Sequence, residues 1–253
     1  SAFLMLGLGA VIAWAMVNRH DRTAGVAAGL MAFKPHMVLG LGLVWLLRRK
    51  RFGTSIVSAV VTGVVLYGGA ELLLPGSMAG WISLVTDSSV ELVHPRAEIT
   101  LGAAARLLLG EGSAGTAVTV LLVIGGVAWL ASVIHRRVVD DGTLLLAAFG
   151  VAAVLSLHAL LYDTFVIVPA LVLVWRARPW LRTDMALYGV ATLSLLTINP
   201  FIVSAQLGMF DRAIAIGPIA LAVFVVWLVE AASLDRRSTP SAGNDQLDSV
   251  ERQ

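Results

Sequence analysis

Apolar residues fall in blocks along this chain, and short polar or basic pieces separate the blocks. The pattern predicts helical segments at residues 2–17, 24–33, 35–47, 54–74, 114–134, 143–161, 164–175, 185–198 and 213–232. Helices that are apolar on every side belong in protein or lipid rather than against water. Two blocks are short. Residues 24–33 would make a helix of about 15 Å, half of a hydrocarbon core of about 30 Å. Short helices that meet at a polar break predict hairpins with tips below the membrane surface, where irregular backbone survives only beside protein or water. The expected fold is all-α: a polytopic helical membrane domain over residues 1–235 with about eight or nine membrane segments, some of them paired in such hairpins.

Composition agrees with that class. The chain is 58% hydrophobic and 13% charged, with a mean hydropathy of +0.88, which excludes a large soluble core. Its sequence pI of about 9.4 is no sign of nucleic-acid binding, because the basic residues sit in the short loops that set membrane orientation. With both polar breaks on the outer side, the inner face takes Arg19, Arg22, Arg48, Arg49, Lys50, Arg51, Arg136, Arg137, Arg176, Arg178, Arg182, Arg236, Arg237 and Arg252. The outer face takes only Arg96, Arg106 and Arg212. This bias predicts a multi-pass plasma-membrane protein with a cytoplasmic C-terminus. One continuous helix over 24–47 would move only Arg19 and Arg22, so the count fixes orientation better than it fixes the first hairpin. Residues 75–113 form the longest outer segment, with an interfacial stretch at 82–93 and a short apolar piece at 101–109. Its Asp, Glu and His residues beside Trp81 suit contacts to a polar substrate, or form an ordinary solvated cap. Residues 236–253 are polar, lack aromatics and read as a disordered tail. There is no cysteine, and Ser1 opens directly on an apolar run, the pattern of a segment from a longer protein.

Polar groups at membrane depth carry the chemistry. Lys34 lies in the middle of an apolar stretch with Pro35 behind it. A buried ammonium costs about 2.5–3.5 kcal/mol on insertion scales, so it needs a partner or a cavity. It either meets an anionic group such as a lipid phosphate, or snorkels or pairs with a carboxylate for structural reasons. His36 is a second donor at the same tip or simply a polar neighbour. His158, Tyr162 and Asp163 form a second cluster, with 158 and 162 placed to share one helix face. The imidazole could donate to phosphate or shuttle a proton, and the carboxylate could orient it or bind sugar hydroxyls. The alternative is a His–Asp pair that satisfies itself. Asn199–Pro200 marks a turn. No histidines pair at helical zinc spacing and no glycine loop cradles a phosphate, so neither a metal nor a nucleotide cofactor is expected.

The run AGVAAGLMAFKPHMVLGLGLVWLLRRKRF (24–52) resembles the signature of glycosyltransferase family 87, within the C-type superfamily of polytopic glycosyltransferases. That signature has a small-residue helix, Lys-Pro-Gln, and an apolar helix closed by a basic cluster. SLHALLYDTFVIVPALVLVW (156–175) resembles a second feature, matching at Ser156, His158, Tyr162, Asp163 and Pro169. His36 stands where the family usually has glutamine, and Leu157 where it usually has proline. The resemblance implies transfer of a hexose, often mannose, from a polyprenyl-phosphate sugar to a lipid or glycan acceptor outside the cytoplasm. It makes Lys34, His36, His158, Tyr162 and Asp163 the substrate-binding half of the site. The catalytic acid/base is expected upstream of Ser1, leaving this segment inactive alone. The rival reading is a transporter or flippase subunit with Lys34 and Asp163 as its coupling pair.

Overall fold

A computed structural model describes residues 2–86, 98–110, 112–136, 139–156, 159–204 and 214–234. Helix α1 covers Ala2–Val17, α2 Asp21–Met31, α3 Pro35–Leu47 and α4 Arg49–Leu73. Two short helices, α5 (Ser77–Thr86) and α6 (Leu101–Leu109), precede α7 (Ser113–His135) and α8 (Asp141–Leu155). A 3-10 segment at Leu161–Ile167 leads into α9 (Val168–Ala177), then α10 (Arg182–Ser204) and α11 (Ile216–Leu234). Among the described residues the only β pairing is one isolated antiparallel bridge, Glu98 to Leu160. The expected tail at 236–253 and most of the predicted interfacial stretch lie outside the described residues.

The all-α class holds. Among the described residues three helices have the length and apolarity to cross a membrane, namely α4, α7 and α11. A fourth span arises if the pair Asp163–Ala177 and Pro179–Thr197, bent by 113°, counts as one. Length alone does not establish the eight or nine segments expected. Helices α1, α3 and α8 stop at 16, 13 and 15 residues, each ended by a charged turn or polar break. The apolar run to Leu161 is not one helix: α8 ends at Leu155 and the backbone then extends through Ser156.

Helix α8 is buried along most of its length and forms the centre, which suits a helix without a polar face. Helix α3 packs on it closely, because a Cβ on Gly40 would lie 2.1 Å from the Ala148 carbonyl oxygen. Helix α4 is the opposite case, since only Phe52 and Ser55 are buried along it. It is fastened to α2 by a glycine seam. Added Cβ atoms would lie 2.3 Å from the Ser55 carbonyl oxygen at Gly25 and 2.5 Å from Thr62 Cβ at Gly29. Both contacts join residues about thirty positions apart, so α2 and α4 run in the same direction. Arg19 to Thr23 share a polar pocket with Thr54, which puts the α1–α2 turn at the basic end of α4. The chain therefore reverses at the α2–α3 break and again at Arg48. The first hairpin, which the charge count left open, is present.

Candidate functional site

The α2–α3 tip is built by a helix that tightens before it stops. The N–H groups of Ala32, Phe33 and Lys34 donate three residues back, to Gly29, Leu30 and Met31, at 3.2, 3.4 and 3.0 Å. Pro35 then supplies the first residue of α3, where a missing N–H costs nothing. Lys34 is the cap residue between the two helices, with φ −120° and ψ 81°. Its side chain is forced off both helical paths.

The second tip meets it. Lys34 Nζ donates to Asp163 Oδ1 at 2.5 Å, with the lysine side chain 19% and the aspartate side chain 2% exposed. Asp163 Oδ2 accepts the Leu160 N–H at 3.1 Å, and the Asp163 N–H returns to the Leu160 carbonyl at 2.8 Å. Both carboxylate oxygens are thus occupied: one fixes the turn that carries Asp163, the other holds the ammonium. A charge pair this far from water survives only with such added hydrogen bonds. The two breaks that the pattern set 129 residues apart form one cluster. His36, at the second position of α3, is half-buried beside it.

The expected shared face of positions 158 and 162 lies partly outside the described residues. Helix α8 has ended by Leu155, Leu160 is in a bridge with Glu98, and Tyr162 lies in the 3-10 segment Leu161–Ile167, with a period of three. His158 lies outside the described residues, and Tyr162 is described only in its backbone. Within residues 75–113, Glu98 is not a solvated contact. It is 0% exposed and accepts from Arg106 Nη2 at 2.7 Å. The Ile99 N–H donates to the Ala159 carbonyl at 2.8 Å, and Thr100 caps α6 by accepting the Ala103 N–H at 3.0 Å. The start of this stretch, at Glu98 and Ile99, is therefore stitched into the chain directly before Asp163. Nothing in the spacing announced this pairing, because a two-residue bridge leaves no periodic signal.

A cavity of about 300 Å³ lies between α2, α3 and α4, bordered by Ala32, Val38, Leu41, Trp45, Ile56 and Ala59 among others. It begins beside the Lys34 tip and follows α3 toward its basic end. Among the described residues no group of three His, Cys, Asp or Glu side chains could hold a metal ion.

The chain has a match at the level of a family model. No curated protein and no solved structure matches the chain. The model of glycosyltransferase family 87 matches residues 1–162, which takes in the whole α2–α3 tip and the second feature up to Tyr162. Because that match covers well over half of the 253 residues, the chain belongs to glycosyltransferase family 87 and is a membrane glycosyltransferase.

Proposed function

We propose that the protein moves a hexose, mannose foremost, from a polyprenyl-phosphate donor to a hydroxyl of a lipid or glycan acceptor on the extracytoplasmic side of the plasma membrane. The observation that carries this reading is the Lys34–Asp163 pair at a helix break inside an apolar bundle. An ammonium paired there with the Asp163 carboxylate has a ready exchange partner in a phosphate diester of the same charge. The N-terminus of α3 opens at the same tip and adds partial positive charge toward an anion. The apolar cavity beneath it suits a prenyl tail.

In the transfer, the acceptor oxygen forms a bond to the anomeric carbon as the bond from that carbon to the phosphate oxygen breaks. The polyprenyl phosphate leaves with the electron pair, and Lys34 stabilises its developing charge. His36, His158 and Tyr162 complete the donor-phosphate and sugar contacts. The acceptor proton goes to a base outside this cluster, because Asp163 stays bonded to the Leu160 N–H that fixes its turn, and Glu98 is buried against Arg106. The inner assignment of the basic loops supports the outward-facing site.

The test is transfer by the intact enzyme in membranes, with polyprenyl-phosphate hexoses against nucleotide hexoses as donors. Transfer from the prenyl donor alone is expected, with Lys34→Gln abolishing it. Transfer from a nucleotide sugar, or full activity in Lys34→Gln, would sink the reading. Orientation is read separately in this cysteine-free chain. A cysteine at Ser113 should react with an impermeant thiol reagent from outside intact cells, and one at Ser238 should not.

A further inference from the structure

Tyr67 stands on α4, the helix otherwise left facing away from the bundle. The glycine seam between α2 and α4 brings it level with the end of α2, and its hydroxyl donates to the carbonyl of Ala32. Ala32 is the residue that caps α2, two positions before Lys34. Its carbonyl is among those that a helix end leaves without an intrahelical donor. The last six residues of α4 continue about 9 Å beyond Tyr67, so the bond lies below the outer end of that helix.

We infer that Tyr67 is a positioning residue for the donor-phosphate contact, an inference that rests on the proposed role of Lys34. Left unbonded, the Ala32 carbonyl would be an open neutral acceptor two residues from Lys34 and would compete for the ammonium. Its negative end would also face an arriving phosphate. The Tyr67 hydroxyl removes both effects and fixes the turn from which the lysine side chain departs. A structural cap alone would serve stability. A positioning group must also change how well the donor is used.

The experiment compares wild type, Tyr67→Phe and Tyr67→Trp in the intact enzyme, each also with Phe33→Cys as a reporter at the tip. Phe33 is 38% exposed and the chain has no other thiol. For Tyr67→Phe the donor KM should rise about three- to ten-fold, the scale of one net hydrogen bond, with the acceptor KM unchanged. Labelling of Cys at position 33 should become faster. Tyr67→Trp keeps an N–H donor and should recover part of the donor KM. A wild-type donor KM in Tyr67→Phe, a Trp variant as poor as Phe, or an equal rise in donor and acceptor KM would overturn the inference. Lys34→Gln run alongside separates the two failures. If it keeps transfer, the phosphate reading itself falls; if it loses transfer while Tyr67→Phe stays normal, only the positioning role falls.

Discussion

Arg51 and Asp141 close one end of the α3–α8 pair, and Lys34 and Asp163 close the other. At the first end the charges come in a belt. Arg136 pairs with Glu230, and Arg178 reaches Asp140 at 2.7 Å and the Ala232 carbonyl at 3.2 Å. Arg48 holds the carbonyls of Ile134 and Arg136 at 2.8 and 3.1 Å. Each cation in those contacts is an arginine, whose rigid fork ties several groups at once and resists being redirected. At the second end a compact ammonium on a flexible stem pairs with the Asp163 carboxylate at a break in the backbone. The belt suits permanent fastening. The tip suits a contact that must change partners, and the difference lies in the residue type as much as in its position.

Removing Asp163 is the hardest blow to the comparison. Asp163→Ala takes away the carboxylate bound to Lys34 and the acceptor for Leu160, and breaking a buried pair costs about 3–5 kcal/mol. Thermal unfolding in detergent should show that loss, and transfer should vanish. Adding Lys34→Ala should restore much of the stability and none of the activity. A double variant as unstable as the single one would mean that the pair is not the energetic unit of this end.

A smaller effect is expected from Gly40→Ala, which presses a methyl group against the Ala148 carbonyl and pushes α3 from α8. Overpacking of this kind costs about 1–3 kcal/mol, and because α3 carries both ends it should lower stability and transfer together. Gly42 has nothing within 4 Å of an added Cβ, so Gly42→Ala should match wild type in the same melts. Equal melting of the two variants would show that the α3–α8 contact does not join the ends.

The smallest change concerns the belt alone. Burial raises the Asp140 carboxyl, but the Thr143 N–H and the Arg178 guanidinium outweigh that and hold it below its ordinary value of 3.8. A depressed carboxyl contributes stability that is present above 3.8 and is lost as pH falls through the lower folded value. Asp140→Asn keeps a capping side chain but removes the charge facing Arg178. It should cost about 1 kcal/mol at neutral pH, the scale of a part-exposed ion pair, and flatten the acid limb of a stability profile below 3.8. Donor KM at neutral pH should not move. A wild-type acid limb in Asp140→Asn would remove this group from the belt.

The helices were legible because block hydropathy survives any packing arrangement, and Pro35 after Lys34 marked the first tip to the residue. Lys34 and Asp163 were legible as expensive charges, each requiring a partner. Their meeting follows from two reversals, and only the positive-inside bias hinted at it. The second tip was misread as helical because Ser156 to Leu161 is as apolar as α8 itself. A backbone pairing with Ile99 and Glu98 wins there over helix propensity. Tyr67 was hidden for a related reason. One hydroxyl on a valine-rich helix has no pattern, and its partner is a carbonyl, to which sequence is blind.

The distance in sequence between Lys34 and Asp163 has a consequence for how the protein is made. The ammonium leaves the ribosome 129 residues before its carboxylate does. At about 5–20 residues per second, it spends roughly 6–26 s without that counter-charge. During that interval α2 and α3 are too short to be retained by lipid on their own, and α4 is the first full-length segment to follow them. The α2–α3 hairpin must then be held at the insertion machinery until the glycine seam with α4 can form. Pulling-force measurements on arrested chains of increasing length would register this as delayed release of the hairpin, ending when α4 emerges.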